Sequence, residues 1–305
     1  VSVGVMTFDQ RADAAAAAVL SDLLAKIEAN HEGAMEGSDL ECLHDFRVAT
    51  RRTRSVQREL KHAFPPGPLR HFRGEFKWLQ TVTGPARDLD VYVESFDDSR
   101  RLVPEDMRAD LEPLLELLQA RRRDARREMV AALSSERAAA ALADWRSLLD
   151  QLEQLPESDR PDASRRIGDL SGARIRKVYK RIVRLGRPIK RSSPSEAYHE
   201  LRKQGKELRY LLELFGAKLY PAEVVKPMVK ALKALQDVLG RHQDRQVQVA
   251  LLLGIREELA GRSRAALTPL IENLMRDQLA ARDQFAQRFE AIASKQQRKL
   301  VRKSF

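Results

Sequence analysis

The sequence predicts an all-α fold built from two similar halves. Three observations carry this expectation. Apolar residues recur at helical spacing along almost the whole 305-residue chain, with no succession of alternating strands. Proline- and glycine-rich breaks are few and short, as in helical bundles. The second half repeats the first at an offset of about 155 residues.

The elements follow in order. Residues 1–9 read as a tail that lacks the basic start and long apolar stretch of a secretory signal. The stretch "QRADAAAAAVLSDLLAKIEANHEGAM" (10–35) is rich in alanine and leucine, both strong helix formers. A charged stretch, "HDFRVATRRTR", then begins at His44. Further helices are expected over 68–82, 108–134, 137–155, 165–187, 196–215, 223–239, 242–260 and 264–299. Breaks fall at "AFPPGP", "LPESDRPDA", "LGRPIKRSSPS" and "LAGRS", and "ESFDDSRRLVPED" (94–106) reads as a longer loop. This gives a bundle over 10–155, a linker over 156–164 and a second bundle over 165–305, related by an approximate twofold axis.

Composition narrows the function classes. Charged residues make up 32% and hydrophobic ones 43%, and no apolar run reaches membrane-spanning length. A single cysteine, Cys42, excludes an internal disulfide and reads as a small apolar residue. The formal charge of +11 is unevenly spread: −5 up to Leu155 and +16 from Pro156 onward. Such asymmetry points to a polyanionic partner or an anionic surface.

The repeat is densest around the charged stretch. His44, Arg47, Arg51 and Arg54 fall on His199, Arg202, Lys206 and Arg209. Lys26 falls on Arg181, and, after one inserted residue, Arg70 and Lys77 fall on Lys226 and Lys233. "LQTVTGPARD" matches "LQDVLGRHQD", pairing Gly84 with Gly240 and Asp88 with Asp244. At about 100° per residue, His44, Arg47, Arg51, Arg54 and Arg58 share an arc of about 80°. Stacked like charges repel on a helix by about 0.2–0.5 kcal/mol per pair, so an unrelieved stripe makes sense if an anion offsets it. Arginine forks suit phosphate, lysine adds a point charge, and histidine can donate a hydrogen bond. Arg73, Arg174, Lys177, Lys180, Arg184 and Lys230 could widen the seat. The second stripe ends sooner, because Glu213 stands where Arg58 would repeat. "ARRRDARR" (120–127) recurs nowhere and reads as a solvated face or a secondary contact. Asp88 and Asp244 read as supports for the arginines, and the two glycines as close-packing or helix-ending positions.

"HDFRVATRRTRSVQREL" and "HELRKQGKELRYLLELFG", each followed by its matched GxxxD segment, resemble the two signature helices of the CHAD family, the conserved-histidine α-helical domains. The likeness spans about residues 10–297. It implies two four-helix bundles with pseudo-twofold symmetry around a basic central groove. It also implies inorganic polyphosphate as ligand and a cytoplasmic place at polyphosphate granules in bacterial cells. The eight repeated cations and histidines would line the groove, with the pairs Lys26/Arg181, Arg70/Lys226 and Lys77/Lys233 beside them. No cofactor is implied, and the ExExK strand motif of a joined triphosphate tunnel domain is absent from the sequence.

Four rival classes stay open. Nucleic acid is also a phosphate chain, although tyrosine and tryptophan are few and no reader motif stands out. A protein-ligated metal is disfavoured because the neighbours of the histidines are mostly cations; divalent ions could still travel with polyphosphate. Phosphate hydrolysis lacks a nucleotide loop or paired metal carboxylates. A scaffold attached to acidic proteins or membranes is the bland alternative.

Overall fold

The structure, a computed structural model, describes residues 6–305, so the expected tail lies partly outside the described residues. The first half contributes α1 (Ala12–Ala29), α2 (His31–Glu36), α3 (Leu40–Glu59), α4 (Pro66–Val82), α5 (Gly84–Glu94), α6 (Phe96–Arg100), α7 (Glu112–Leu133) and α8 (Glu136–Gln151). The second contributes α9 (Ile167–Gly186), α10 (Ser195–Leu211), α11 (Ala217–Leu219), α12 (Ala222–Ile255), α13 (Gly261–Ala293) and α14 (Lys295–Ser304). Among the described residues there is no strand, only an isolated antiparallel bridge between Arg11 and Arg166. No helix among them is long and apolar enough to cross a membrane.

Local chemistry sets many of the starts. The Asp39 carboxylate accepts from Glu41 N at 2.8 Å to open α3, Ser135 caps α8 through Ala138 N, and Ser294 caps α14 through Gln297 N. Prolines stand in the first turns of α4, α5 and α7, where no donor is lost. The helices expected over 223–239 and 242–260 are one, the 34-residue α12. Gly240 costs a helix interior only about 1 kcal/mol, which packing on both sides overrides. The loop expected over 94–106 contains α6 and a 3₁₀ turn, and the helix expected over 264–299 breaks at Ser294.

The starts of α1 and α9 are knitted together by four main-chain hydrogen bonds. Ala12 N donates to Arg165 O and Ile167 N to Gln10 O, both at 2.8 Å. Asp13 N donates to Ala163 O at 3.1 Å and Gly168 N to Phe8 O at 3.0 Å. Shifting every residue by 155 turns each bond into its partner, and Arg11 into Arg166. The bonds satisfy N–H groups that a helix start otherwise leaves orphaned. Segment 156–164 is held in by the same region: Arg160, fully buried, donates to Asp13 Oδ2 at 3.1 Å and to Pro156 O at 3.0 Å. Removing one partner of a buried pair leaves an uncompensated charge. Asp13→Ala is therefore expected to lower the urea-unfolding free energy by about 3 kcal/mol. Arg166→Ala, which breaks only exposed pairs, should cost less than about 1 kcal/mol.

The inserted residue of the second half has a structural home. Leu212–Gly216 forms a π turn at the end of α10, between Arg209, at offset 155, and Tyr220, at offset 156. A π turn is the form a single added residue takes inside a helix.

Two apolar clusters hold the helices. The larger joins both halves, with Leu20, Phe46, Phe76 and Trp145 from the first and Ile175, Leu201, Phe215 and Leu235 from the second. The smaller also spans both, packing Tyr92, Phe96, Leu114 and Leu118 against Leu252, Ile255, Leu267 and Leu270. Along α5 and α12 the polar stretches around Asp88 and Asp244 lie between residues of these two clusters. The segment read as a solvated face is partly structural. Asp90, fully buried, accepts from Arg122 Nε at 2.6 Å and from Arg126 Nη1 at 3.1 Å.

Candidate functional site

Helices α3 and α10 carry the two charged stripes, and they meet. Arg52 pairs with Glu213 at 2.7 Å, and Arg58 pairs with Glu207, which also accepts from Ser55 Oγ at 2.6 Å. Under the 155-residue shift Arg52 corresponds to Glu207 and Arg58 to Glu213, so each bridge is the other's counterpart with its charges exchanged. Arg58, expected to extend the anion stripe, is thus a tie between the halves and also faces Glu59 at 3.3 Å.

Beside this seam the repeated cations converge. Burial, then the nearby Arg51, pulls the Arg47 guanidinium down to about 10. Burial, then Arg51 and Arg202, pulls the Lys206 ammonium down to about 7, and Arg209 adds to the repulsion. Arg202 is lowered by burial, against the pull of Asp244, and by Arg51. Arg51 of α3 therefore acts on both Arg202 and Lys206 of α10. Among the described residues, Arg47, Arg51, Arg54, Arg202 and Lys206 have no ion-pair partner within 4.0 Å, and the buried Nε atoms of Arg202 and Arg209 have no hydrogen-bond acceptor. Among the described residues the ion-pair partner of Arg209 is Glu213, at 3.9 Å.

The segments after the stripes place matching groups. Arg47 Nη1 donates to Gln80 O at 2.9 Å and to Thr83 Oγ1 at 2.7 Å. A side chain at Gly84 would begin 3.7 Å from Arg47 Nη1, and one at Gly240 would begin 3.8 Å from Arg202 Nη2. Each is an ordinary van der Waals contact, so the two glycines face the same arginine of their half without being needed to make room for it. Gly84 opens α5, whereas Gly240 lies inside α12. His44 Nδ1 lies 3.4 Å from Arg87 Nη2, and His199 Nδ1 lies 2.7 Å from Gln243 Oε1. Arg87 and Gln243 are the residues just before Asp88 and Asp244. These two acids are solvent-accessible yet closely walled. Burial raises both carboxyls, partly opposed by Arg47 at Asp88 and by Arg202 at Asp244, and Asp244 raises Asp88 further.

The cluster opens into basic recesses. Arg54, Arg58, Arg70, Arg73 and Lys77 line a cavity of about 550 Å³ whose one acid is Asp159. Arg181 of α9 is close enough to Arg58 to lower its pKa further, after burial. In the second half Lys226, Lys230 and Lys233 line a recess of about 450 Å³ with Glu213. The other expected members differ in setting. Lys26, Lys177 and Arg184 are exposed and have no ion-pair partner within 4.0 Å among the described residues. Arg174 turns to Asp162, at 3.4 Å, in the segment read as a linker. Lys180 lines a separate cavity with α14, because it projects from a different side of α9 than Arg181.

Sequence reasoning missed Arg87, Lys61, His62 and Arg241. Arg87 could have been found as the neighbour of the repeated Asp88. Lys61 and His62 extend the line of the α3 stripe and line the larger cavity. Arg241 carries buried Nε and Nη2 atoms without an acceptor among the described residues, yet it has only Pro85 as its counterpart. Donor atoms of Glu41, His44 and Asp45 lie within 4.8 Å of one another, so His44 has acids near it as well as cations, and these three could hold a cation.

Comparison with known proteins agrees with this architecture. The crystal structure of the CHAD domain from the plant Ricinus communis superposes with a TM-score of 0.80, at 24% identity, over 96% of this chain and 95% of that one. PptA from Streptomyces chartreusis superposes with a TM-score of 0.70, at 17% identity, over 92% of this chain and 100% of that one. In sequence, the proteins MT2285 and Rv2226 of Mycobacterium tuberculosis are each 28% identical over 219 residues. That match covers 69% of this chain but only 40% of either relative. The CHAD domain itself matches residues 18–253, and the chain therefore belongs to the CHAD-domain family.

Proposed function

We propose that this protein binds inorganic polyphosphate, without chemistry, in a cation-lined groove between two four-helix bundles. The bundles span 10–155 and 165–305 and are related by an approximate twofold axis. The reciprocal main-chain bonds at α1 and α9 and the reciprocal bridges at α3 and α10 support that symmetry. The observation that carries the binding reading is the meeting of Arg51 with Arg202 and Lys206. Cations from both halves crowd together, partly desolvated; Asp244 pulls on Arg202 and Lys206, but among the described residues no carboxylate pairs with Arg51, Arg202 or Lys206 within 4.0 Å. An extended anion would relieve that repulsion and supply acceptors to the orphaned arginine N–H groups. His44, Arg47, Arg54, His199 and Arg209 would add contacts around this centre, with Arg70, Arg73, Lys77 and Arg181 at one mouth and Lys226, Lys230 and Lys233 at the other. Asp88 and Asp244 would hold the arginines in place. Divalent ions carried by the polyphosphate would meet Glu41, His44 and Asp45. A cytoplasmic place at polyphosphate granules follows from this ligand.

Successive phosphates meeting successive cations bind as a multivalent chain, so affinity should rise with chain length. Titrating defined-length polyphosphates at several salt concentrations, with duplex and single-stranded nucleic acid as competitors, tests this. Long chains should bind far more tightly than pyrophosphate and outcompete nucleic acid, and affinity should fall steeply with salt. Equal affinity for pyrophosphate and long chains would remove the groove reading. Preference for nucleic acid would replace its ligand.

A further inference from the structure

We propose that α9 and α14 form a second anion site, separate from the central groove, for a short condensed-phosphate chain of the triphosphate kind. A cavity of about 450 Å³ lies between them, a size suited to a small ligand. Arg176 and Lys180 of α9, Arg187 just past its end, and Lys295, Arg298, Lys299 and Arg302 of α14 line it, and among the described residues no carboxylate does. Among the described residues, none of these seven cations has an ion-pair partner within 4.0 Å.

The seat is formed in advance. Its floor is Tyr179, Val183 and Val301, and the Tyr179 hydroxyl donates to Ile292 O at 2.7 Å. Ser294 caps α14, Val301 is buried, and the terminal Phe305 ring lies 4.6 Å from that of Tyr220. The helix is thereby pinned against α9 with its cations turned over the cavity. An adjoining recess of about 430 Å³ shares Arg187, Lys295 and Arg298 and continues to Ile189, Phe285 and Phe289, with Glu290 as its one acid. The phosphates belong at the all-cation end.

The repeat separates this site from the groove. Groove cations occur in both halves, whereas the first-half counterparts of Arg176, Lys180 and Arg187 are Ser21, Ala25 and Glu32. A groove fed equally by both halves leaves the −5 and +16 split of the chain unexplained. A site built once, from second-half cations alone, places seven of that half's cations. Condensed phosphate has the matching chemistry: several charges on a short chain, with oxygens spaced for arginine forks.

Two variant pairs in the full chain test the assignment, with calorimetric titration of tripolyphosphate, ATP and long polyphosphate. Arg51→Ala/Lys206→Ala disables the groove; Arg298→Ala/Arg302→Ala alters only exposed side chains of α14. The groove variant should still bind tripolyphosphate, and adding the α14 substitutions should weaken that binding by about ten-fold or more, with helicity unchanged. ATP binding as well as tripolyphosphate would assign the seat to free nucleotides. Tripolyphosphate binding alone would assign it to inorganic chains. Loss of tripolyphosphate binding in the groove variant, or indifference to the α14 substitutions, would overturn the second site. Should the central groove reading itself be wrong, the groove variant would instead keep its affinity for long polyphosphate, so the two failures read differently.

Discussion

Replacing Arg51 and Lys206 together with alanine is expected to weaken binding of long polyphosphate by about 10²–10⁴-fold. Each removed cation forfeits charge-assisted hydrogen bonds worth about 1.5–3 kcal/mol, and every 1.4 kcal/mol is a factor of ten. The pair spans the junction of the halves, so the loss falls where a bound chain would pass from one set of contacts to the other. The folded protein should not suffer. Like charges held in a desolvated recess oppose folding, and their removal relieves that opposition. Titration of polyphosphate alongside thermal unfolding checks both halves of the expectation. Unchanged affinity would remove these residues from the site, and a collapse in melting temperature would make them structural.

Binding at pH 8 to 9 is expected to take up protons, with Lys206 the principal acceptor. Its pKa of about 7, against an ordinary 10.5, leaves the ammonium largely neutral above pH 7 when the groove is empty. A polyanion restores the charged form. The contribution of Lys206 to affinity should therefore be level below about pH 7 and fall as pH rises from there toward 10. Folding stability has the opposite trend. Between about 7 and 10.5 the unfolded lysine holds more protons than the folded one, so this group's penalty is complete below that window and fades through it. Calorimetry in buffers of different ionisation enthalpy reads the uptake directly. Lys206→Met should abolish most of it and should stabilise the fold more at pH 6 than at pH 10.

The helical class and the repeat were legible because both are periodic properties of sequence. The offset of 155 read from His44 and His199 is the offset at which the main-chain bonds of α1 and α9 exchange. The spot where that offset slips to 156 is where the π turn lies. What failed depended on which element lies opposite. The arc of α9 could be drawn from its residues, but nothing in that arc says that α14 lies beside Lys180 while α3 lies beside Arg181. Arg58 read as one more free cation because its acid, Glu207, is 149 residues away. Arg122 and Arg126 read as solvated because a single buried carboxylate, Asp90, leaves no pattern in a charged run. Helix boundaries within 223–260 were misjudged for an energetic reason: one glycine is a weak signal against a long packed face.

The crossing of α3 and α10 has both arginines on one side and both glutamates on the other. Two copies of the first half, arranged as the halves are here, would set Arg52 against Arg58 twice over. Two copies of the second would oppose Glu207 and Glu213 in the same way. The joint thus has polarity: it accepts an unlike mate and rejects a like one. A duplicated bundle that kept identical residues at this crossing could assemble homotypically, whereas the charge exchange commits each half to the other.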